Sequence, residues 1–156
     1  MQTNLFKNIA YCTDFSEHSD EAFRVAKDLA WRYGATLHIV HVAVNFSTSP
    51  PITDTYLPIE YDPGFMEQVV ETAKGSIQAR YVNQLKESQS FTISLLSGYP
   101  AAEILRYTKA NNIDLTVMGS HGLTGFAHTV FGSTADRVVQ KSPCSVLTVR
   151  LKQAAA

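Results

Sequence analysis

The sequence predicts a single α/β domain: an open parallel sheet with helices on both faces, Rossmann-like in outline. Three observations carry this. Short apolar runs rich in β-branched residues alternate with segments of helical period, the pattern of successive βαβ units. Glycine or proline punctuates the joints, at Gly34, Gly98, Pro100, Gly119, Gly122, Gly132 and Pro143. With 156 residues, 45% of them hydrophobic and 17% charged, the chain has the size and composition of one globular core.

The first strand is expected over Phe6–Cys12. A helix follows from near Ser16 to Gly34, with Ala22, Ala26, Leu29 and Tyr33 recurring on one face and glycine just past its end. Thr36–Val44 reads as the second strand. Asn45–Gly64 then carries Pro50, Pro51, Pro58 and Pro63 with little periodicity. A connection this long fits a lid, a partner contact or a mobile segment, and equally a plain loop. The second helix is expected over roughly Phe65–Glu87, striped by Met66, Val69, Val70, Ala73, Ile77 and Tyr81 and weakened locally by Gly75. Phe91–Leu96 reads as the third strand. Pro100–Ala110 reads as the third helix, with proline in its first turn. Asp114–Met118 is the fourth strand, Ser133 to about Lys141 the fourth helix, and Ser145–Arg150 the last strand. Residues 1–151 form the domain and 152–156 a tail. There is no internal repeat and no second domain.

Composition narrows the function. The formal net charge is −1 and the basic residues are scattered, which gives no reason to expect nucleic acid as a partner. No apolar stretch is long enough to span a bilayer, and the N-terminus lacks a signal-peptide core. Two cysteines far apart, Cys12 and Cys144, make no disulfide framework, so a reducing cytoplasm is the expected compartment. The P-loop and the Gly-x-Gly-x-x-Gly fingerprint are absent, as are Cys-x-x-Cys, His-Glu-x-x-His and the Gly-x-Ser-x-Gly elbow. His38 and His41 are three apart on a strand, so they point to opposite faces and cannot chelate one metal. No metal ligands and no catalytic residues are assigned. Cys12 reads as a small buried residue; His121 could in principle assist slow hydrolysis, but no oriented base-and-acid pair is visible in the sequence.

The most informative stretch is Met118–Thr134. A buried strand ends at Gly119-x2-Gly122. Nine residues later Gly132-Ser133-Thr134 opens a helix. Glycines allow backbone N–H groups to approach a bulky anion, and a helix N-terminus adds free donors and partial positive charge. The arrangement suggests a phosphate cradle.

This spacing resembles the Gly-x2-Gly-x9-Gly-Ser/Thr motif of the universal stress protein family, in its ATP-binding branch. Ile9–Ser16 looks like the family's first strand and Asp-x-Ser turn, and His38–Val42 like its second strand. Gly98–Leu105 resembles its Gly-x-Pro helix start, Asp114–Gly122 its motif strand and Ser142–Val149 its usual ending. The resemblance covers about residues 5–150. It implies strand order 3-2-1-4-5, which puts the ligand crevice between strands one and four, where the order reverses.

The resemblance implies these roles. Asp14 would accept hydrogen bonds from a ribose hydroxyl or the adenine edge; an acid leading a helix is the other reading. Thr13 would contact base or sugar through its backbone. Val42 would offer backbone groups to adenine, or is simply a core valine. Gly119, Ser120, His121 and Gly122 would wrap the phosphates, and Gly132, Ser133 and Thr134 would meet them from the helix start. Ser133 also suits an N-cap. Met118 is core or lines the ribose side, and Gly125 permits a turn. Leu123 and Ala127 stand at or near positions where many relatives carry a basic residue. His128 is the nearest substitute here. A triphosphate therefore needs added charge compensation, for which magnesium or manganese held by phosphates and water would serve.

The expected function is a cytoplasmic stress-response protein that binds ATP, ADP or AMP and acts as a nucleotide-dependent switch or binding module. One alternative is a slow ATPase or nucleotidyl-transfer enzyme; such enzymes carry a Ser-Gly-Gly loop where this chain has Thr13-Asp14-Phe15-Ser16. Another is a nucleotide-free dimeric interaction protein. Relatives pair the last strand across a two-fold axis, so a homodimer through Ser145–Arg150 is expected.

Overall fold

The computed structural model describes residues 4–43, 63–123 and 131–152. Among these residues there are five strands: β1 (Asn8–Thr13), β2 (Thr36–Ala43), β3 (Phe91–Ser97), β4 (Leu115–Gly119) and β5 (Ser145–Val149). Four helices intervene: α1 (Glu17–Tyr33), α2 (Pro63–Arg80), α3 (Pro100–Ala110) and α4 (Ser133–Lys141). All strand pairs are parallel and the sheet order is β3-β2-β1-β4-β5, as the resemblance implied. Most of the proline-rich stretch (residues 45–62) lies outside the described residues, as do Gly125, Ala127, His128 and the last four residues.

Strand parity divides the core in two, because successive side chains leave a strand on opposite faces. Ile9 and Tyr11 of β1, Leu37 and Ile39 of β2, and Leu115 and Val117 of β4 form one layer. Ala22, Phe23, Ala26 and Ala30 of α1 pack against it, together with Ile77 of α2 and Tyr81. The opposite parity, Cys12, Val40, Val42 and Met118, packs against Ala101 and Ile104 of α3 and Ala135 and Val138 of α4. Each helix buries its 3.6-period stripe on one of these layers. The two strand histidines obey the same rule. His41 turns toward Phe15, with 4.5 Å between ring centroids, while His38 meets Tyr107 of α3.

The second helix ends sooner than its apolar stripe predicts. It stops at Arg80, and Tyr81 leaves helical geometry (φ −121°, ψ −56°) before a 3-10 turn over Val82–Gln84. The Tyr81 hydroxyl is held by Thr13 Oγ1 at 2.8 Å and Asp20 Oδ1 at 2.7 Å, and Arg80 pairs with Asp20. These tertiary bonds to β1 and α1 fix the chain where local propensity alone would have continued the helix. The stripe is also shorter: Ala73, Ile77 and Tyr81 are buried, whereas Met66, Val69 and Val70 are only partly so. Pro63 and Gly64, expected in the preceding connection, belong to α2.

His38 is buried in a polar cluster. Its Nδ1 lies 3.0 Å from the Tyr107 hydroxyl and 3.2 Å from Thr92 Oγ1, and its Nε2 lies 3.2 Å from Asn8 Oδ1. Burial lowers its pKa from the ordinary value. The unfolded chain therefore takes up this proton first. His38 contributes full stability above about pH 6.5, and that contribution is lost as pH falls toward the lower folded-state pKa. Urea denaturation of the wild type should give a lower stability at pH 5 than at pH 8. In His38→Gln that pH-dependent difference should shrink. An identical pH profile in the two proteins would remove His38 as its source.

Candidate functional site

The β1–α1 turn is the first wall of the site. Phe15 adopts a left-handed backbone (φ +64°), unusual for a bulky residue and worth about 1–3 kcal/mol of strain. Several contacts hold it there. Its N–H donates to Thr13 Oγ1 at 3.0 Å, and its ring packs on His41 and Tyr81. The next N–H, of Ser16, donates to Asp14 Oδ1 at 3.0 Å, and Ser16 caps α1 through the N–H of Ser19.

That sharp turn leaves a gap beside β2. Backbone groups alternate in direction along a strand. The Thr36 N–H donates to Lys7 beside β1, while the Ala43 carbonyl accepts from Gly98 beside β3. Val42 shares the parity of Thr36 and so faces the β1 side. There the ladder ends at Thr13 and the Phe15 N–H is committed to Thr13. Among the described residues no hydrogen bond engages the Val42 carbonyl, which by parity points across the crevice.

The other wall is the glycine segment. Leu123 N–H donates to Asp14 Oδ2 at 3.0 Å. A side chain on Gly122 would run into that same carboxylate oxygen. The glycine turn therefore already donates one N–H to the Asp14 carboxylate, and Gly122 makes room for it. Gly119 is required for another reason: a Cβ there would lie 2.9 Å from the backbone of His18 in α1. Neither glycine has a positive φ, so close approach rather than backbone freedom is what each supplies. Ser120 differs from expectation. It is fully buried and does not line the cleft. Its N–H donates to Val149, its carbonyl accepts the Gly132 N–H at 2.8 Å, and its Oγ lies 3.0 Å from His121 Nδ1. It ties β4, β5 and the start of α4 together.

The α4 start completes the site. Gly132 is the N-cap residue and makes no side-chain cap bond, so Ser133 occupies the first helical position rather than the cap. The Gly132 N–H is committed to Ser120. Among the described residues, no hydrogen bond engages the N–H groups of Ser133 and Thr134, as befits a first helical turn.

These walls enclose a cleft of about 560 Å³ at the carboxyl ends of β1 and β4. It gathers ten of the eleven predicted site residues: Thr13, Asp14, Val42, Met118, Gly119, His121, Gly122, Gly132, Ser133 and Thr134. It also contains residues that sequence reasoning did not assign to the site. Val40 shares the parity of Val42, so its presence was available from the pattern. Pro100 and Ile104, one turn apart on α3, and Phe131 supply further apolar wall; no local signal aims them here. Ser19 and Asp136 also line it. Burial pushes the Cys12 thiol up to about 12, with a smaller contribution from Cys144, so this wall residue stays neutral and is no nucleophile. Among the described residues, no group of three or more His, Cys, Asp or Glu side chains could hold a metal ion.

The model of the universal stress protein family matches residues 5–150. The universal stress protein MJ0531 of Methanocaldococcus jannaschii is 33% identical over 151 residues, spanning 94% of this chain and 84% of that protein. The solved structure of MJ0577 from the same organism superposes with a TM-score of 0.80 at 25% identity, covering 96% of this chain and 99% of that one. Two structures share the fold at lower identity. One is a universal stress protein in complex with cAMP (TM-score 0.60, 21% identity, 93% and 97% covered), and the other an Archaeoglobus fulgidus relative in complex with dAMP (TM-score 0.62, 16% identity, 93% and 98% covered). Sequence, strand order and structural match agree: the chain belongs to the universal stress protein family.

Proposed function

We propose that this chain is a cytoplasmic adenine-nucleotide-binding protein whose nucleotide occupancy acts as a switch in the stress response. The observation that carries the reading is the convergence on one cleft of a free strand carbonyl, a carboxylate and an open helix N-terminus. Val40, Val42, Cys12, Met118, Ile104 and Phe131 give apolar walls suited to a flat base. The Val42 carbonyl accepts from the adenine amino group. Asp14 has lone pairs left for a ribose hydroxyl after its two backbone bonds. Phosphate meets the N–H groups of Ser133 and Thr134 and the α4 dipole. The relatives bound to cAMP and dAMP support the adenine moiety. No helix among the described residues is long and apolar enough to cross a membrane. Mass spectrometry of small molecules released from the purified protein should find an adenine nucleotide. A protein that carries none and takes none up on addition would overturn the reading.

Binding without fast turnover is the second part of the proposal. The cleft offers His121 but no activated nucleophile, and Asp14 is engaged with two backbone N–H groups. Steady-state phosphate release should stay orders of magnitude below the enzyme median of about 10 per second. A rate near that median would favour the ATPase alternative.

The assembly proposed is a homodimer through β5. Among the described residues that strand pairs only with β4 and leaves its other edge open, and an open apolar edge is a pairing site. Nucleotide occupancy and this interface meet at Ser120, whose N–H binds Val149 of β5 and whose carbonyl binds Gly132.

A further inference from the structure

We infer that, in the absence of a metal ion, the cleft takes an adenine nucleoside carrying a single phosphate in preference to the triphosphate. The inference rests on the adenine-nucleotide reading above and adds the phosphate number.

Donor supply is the first argument. The motif has the outline of an extended phosphate cradle, but much of its backbone is already committed. The Leu123 N–H binds Asp14, the Ser120 N–H binds Val149 and the Gly132 N–H binds Ser120. What remains among the described residues is the Gly122 N–H at the glycine turn and, at the α4 start, the N–H pair of Ser133 and Thr134 with their two hydroxyls. That set matches one phosphate group, whose oxygens accept several bonds at a helix N-terminus.

Charge is the second argument. The described residues lining the cleft include two carboxylates, Asp14 and Asp136, and no lysine or arginine. The segments outside the described residues bring none either: residues 44–62 and 124–130 contain no Lys or Arg. Arg137 and Arg150 are near in sequence but do not line the cleft. Among the described residues the basic groups at or beside the cleft are the imidazoles of His121 and of His18, whose ring centroids lie 5.3 Å apart; His128 lies outside the described residues. Asp136 sits in the first turn of α4, where its carboxylate already interacts with the dipole that would attract phosphate. A second and third phosphate would leave the donors of Ser133 and Thr134 and meet either Asp136 or the Asp14 carboxylate at the glycine turn. Asp136 is exposed and Asp14 half-buried, so water and salt screen part of this repulsion, but no lysine or arginine in the lining offsets it. A single phosphate avoids both carboxylates.

Titration calorimetry on the full chain in EDTA, with adenosine, AMP and ATP, tests this. AMP should bind at least tenfold tighter than ATP and measurably tighter than adenosine. Magnesium should narrow the AMP-to-ATP ratio by neutralising the outer phosphates. Asp136→Asn should narrow it in EDTA by removing one repelling charge; Asp136→Ser is the second variant if the first disturbs α4. ATP binding as tightly as AMP in EDTA would overturn the inference and leave the adenine reading standing. Adenosine binding as tightly as AMP would overturn it too, because the α4 donors would then hold no phosphate. A ratio unmoved by both magnesium and the Asp136 variants would overturn its electrostatic basis. Failure of all three ligands to bind would remove the adenine reading itself.

Discussion

Gly122→Val should lower AMP affinity by tenfold or more, about 1.4 kcal/mol, with the fold retained. A branched side chain at 122 collides first with the Asp14 carboxylate, not with the ligand. Asp14 must then leave its bond to Leu123, and the β1 turn and the glycine turn separate. Two walls of the cleft shift together. At Gly132 the added Cβ would be 3.3 Å from His121 Cα and 3.5 Å from the Gly122 nitrogen, a tight but not prohibitive fit. Gly132→Ala should therefore cost less than Gly122→Ala. Calorimetry with AMP measures affinity, and far-UV circular dichroism checks the fold. Unchanged affinity in both Gly122→Val and Gly132→Val would defeat the phosphate cradle.

Proline in β5 should produce two different failures, according to parity. The Val149 carbonyl accepts from Ser120 N–H, so Val149 faces β4 with both backbone groups. Val146 has the opposite parity and faces the open edge. Val146→Pro removes a donor from that edge only, and light scattering should report a monomer with the fold intact. Val149→Pro strips a buried ladder bond and leaves a β4 carbonyl unpaired, costing about 1–3 kcal/mol of stability. A wild-type monomer at micromolar concentration, or a dimer unaffected by Val146→Pro, would exclude the β5 interface.

Much of this arrangement was legible in the sequence because it depends on local period. Alternation located all five strands, and the fourth helix began at Ser133 as the glycine-serine pair indicated. Strand order was not legible from period; it came from the resemblance, and the sheet has that order. The position of the glycines could be read, but not their reasons. Gly119 is set by His18 and Gly122 by Asp14, contacts across about a hundred residues of chain that no local pattern encodes. Phe15 gave no signal of its left-handed turn, since phenylalanine has no preference for that region. The early stop of α2 has the same origin, in a tyrosine hydroxyl held by two distant strand and helix residues.

The parity of β2 makes the cleft sensitive to whether an odd or an even number of codons is lost from the strand. Val40 and Val42 face the cleft, while Ile39 and His41 face α1 and Phe15. Loss of one codon within Thr36–Ile39, with the ladder kept, would put His41 where Val40 stood and Ala43 where Val42 stood. An imidazole and a methyl would replace two valines on the apolar wall of the cleft. Loss of two codons would restore parity, setting Val42 in the place of Val40 and Val44 in the place of Val42. A scan of in-frame deletions along this strand should therefore give a saw-tooth in nucleotide retention, with single losses more damaging than double ones. Length polymorphism is usually filtered by how much chain is removed; here it would be filtered by whether the number removed is odd.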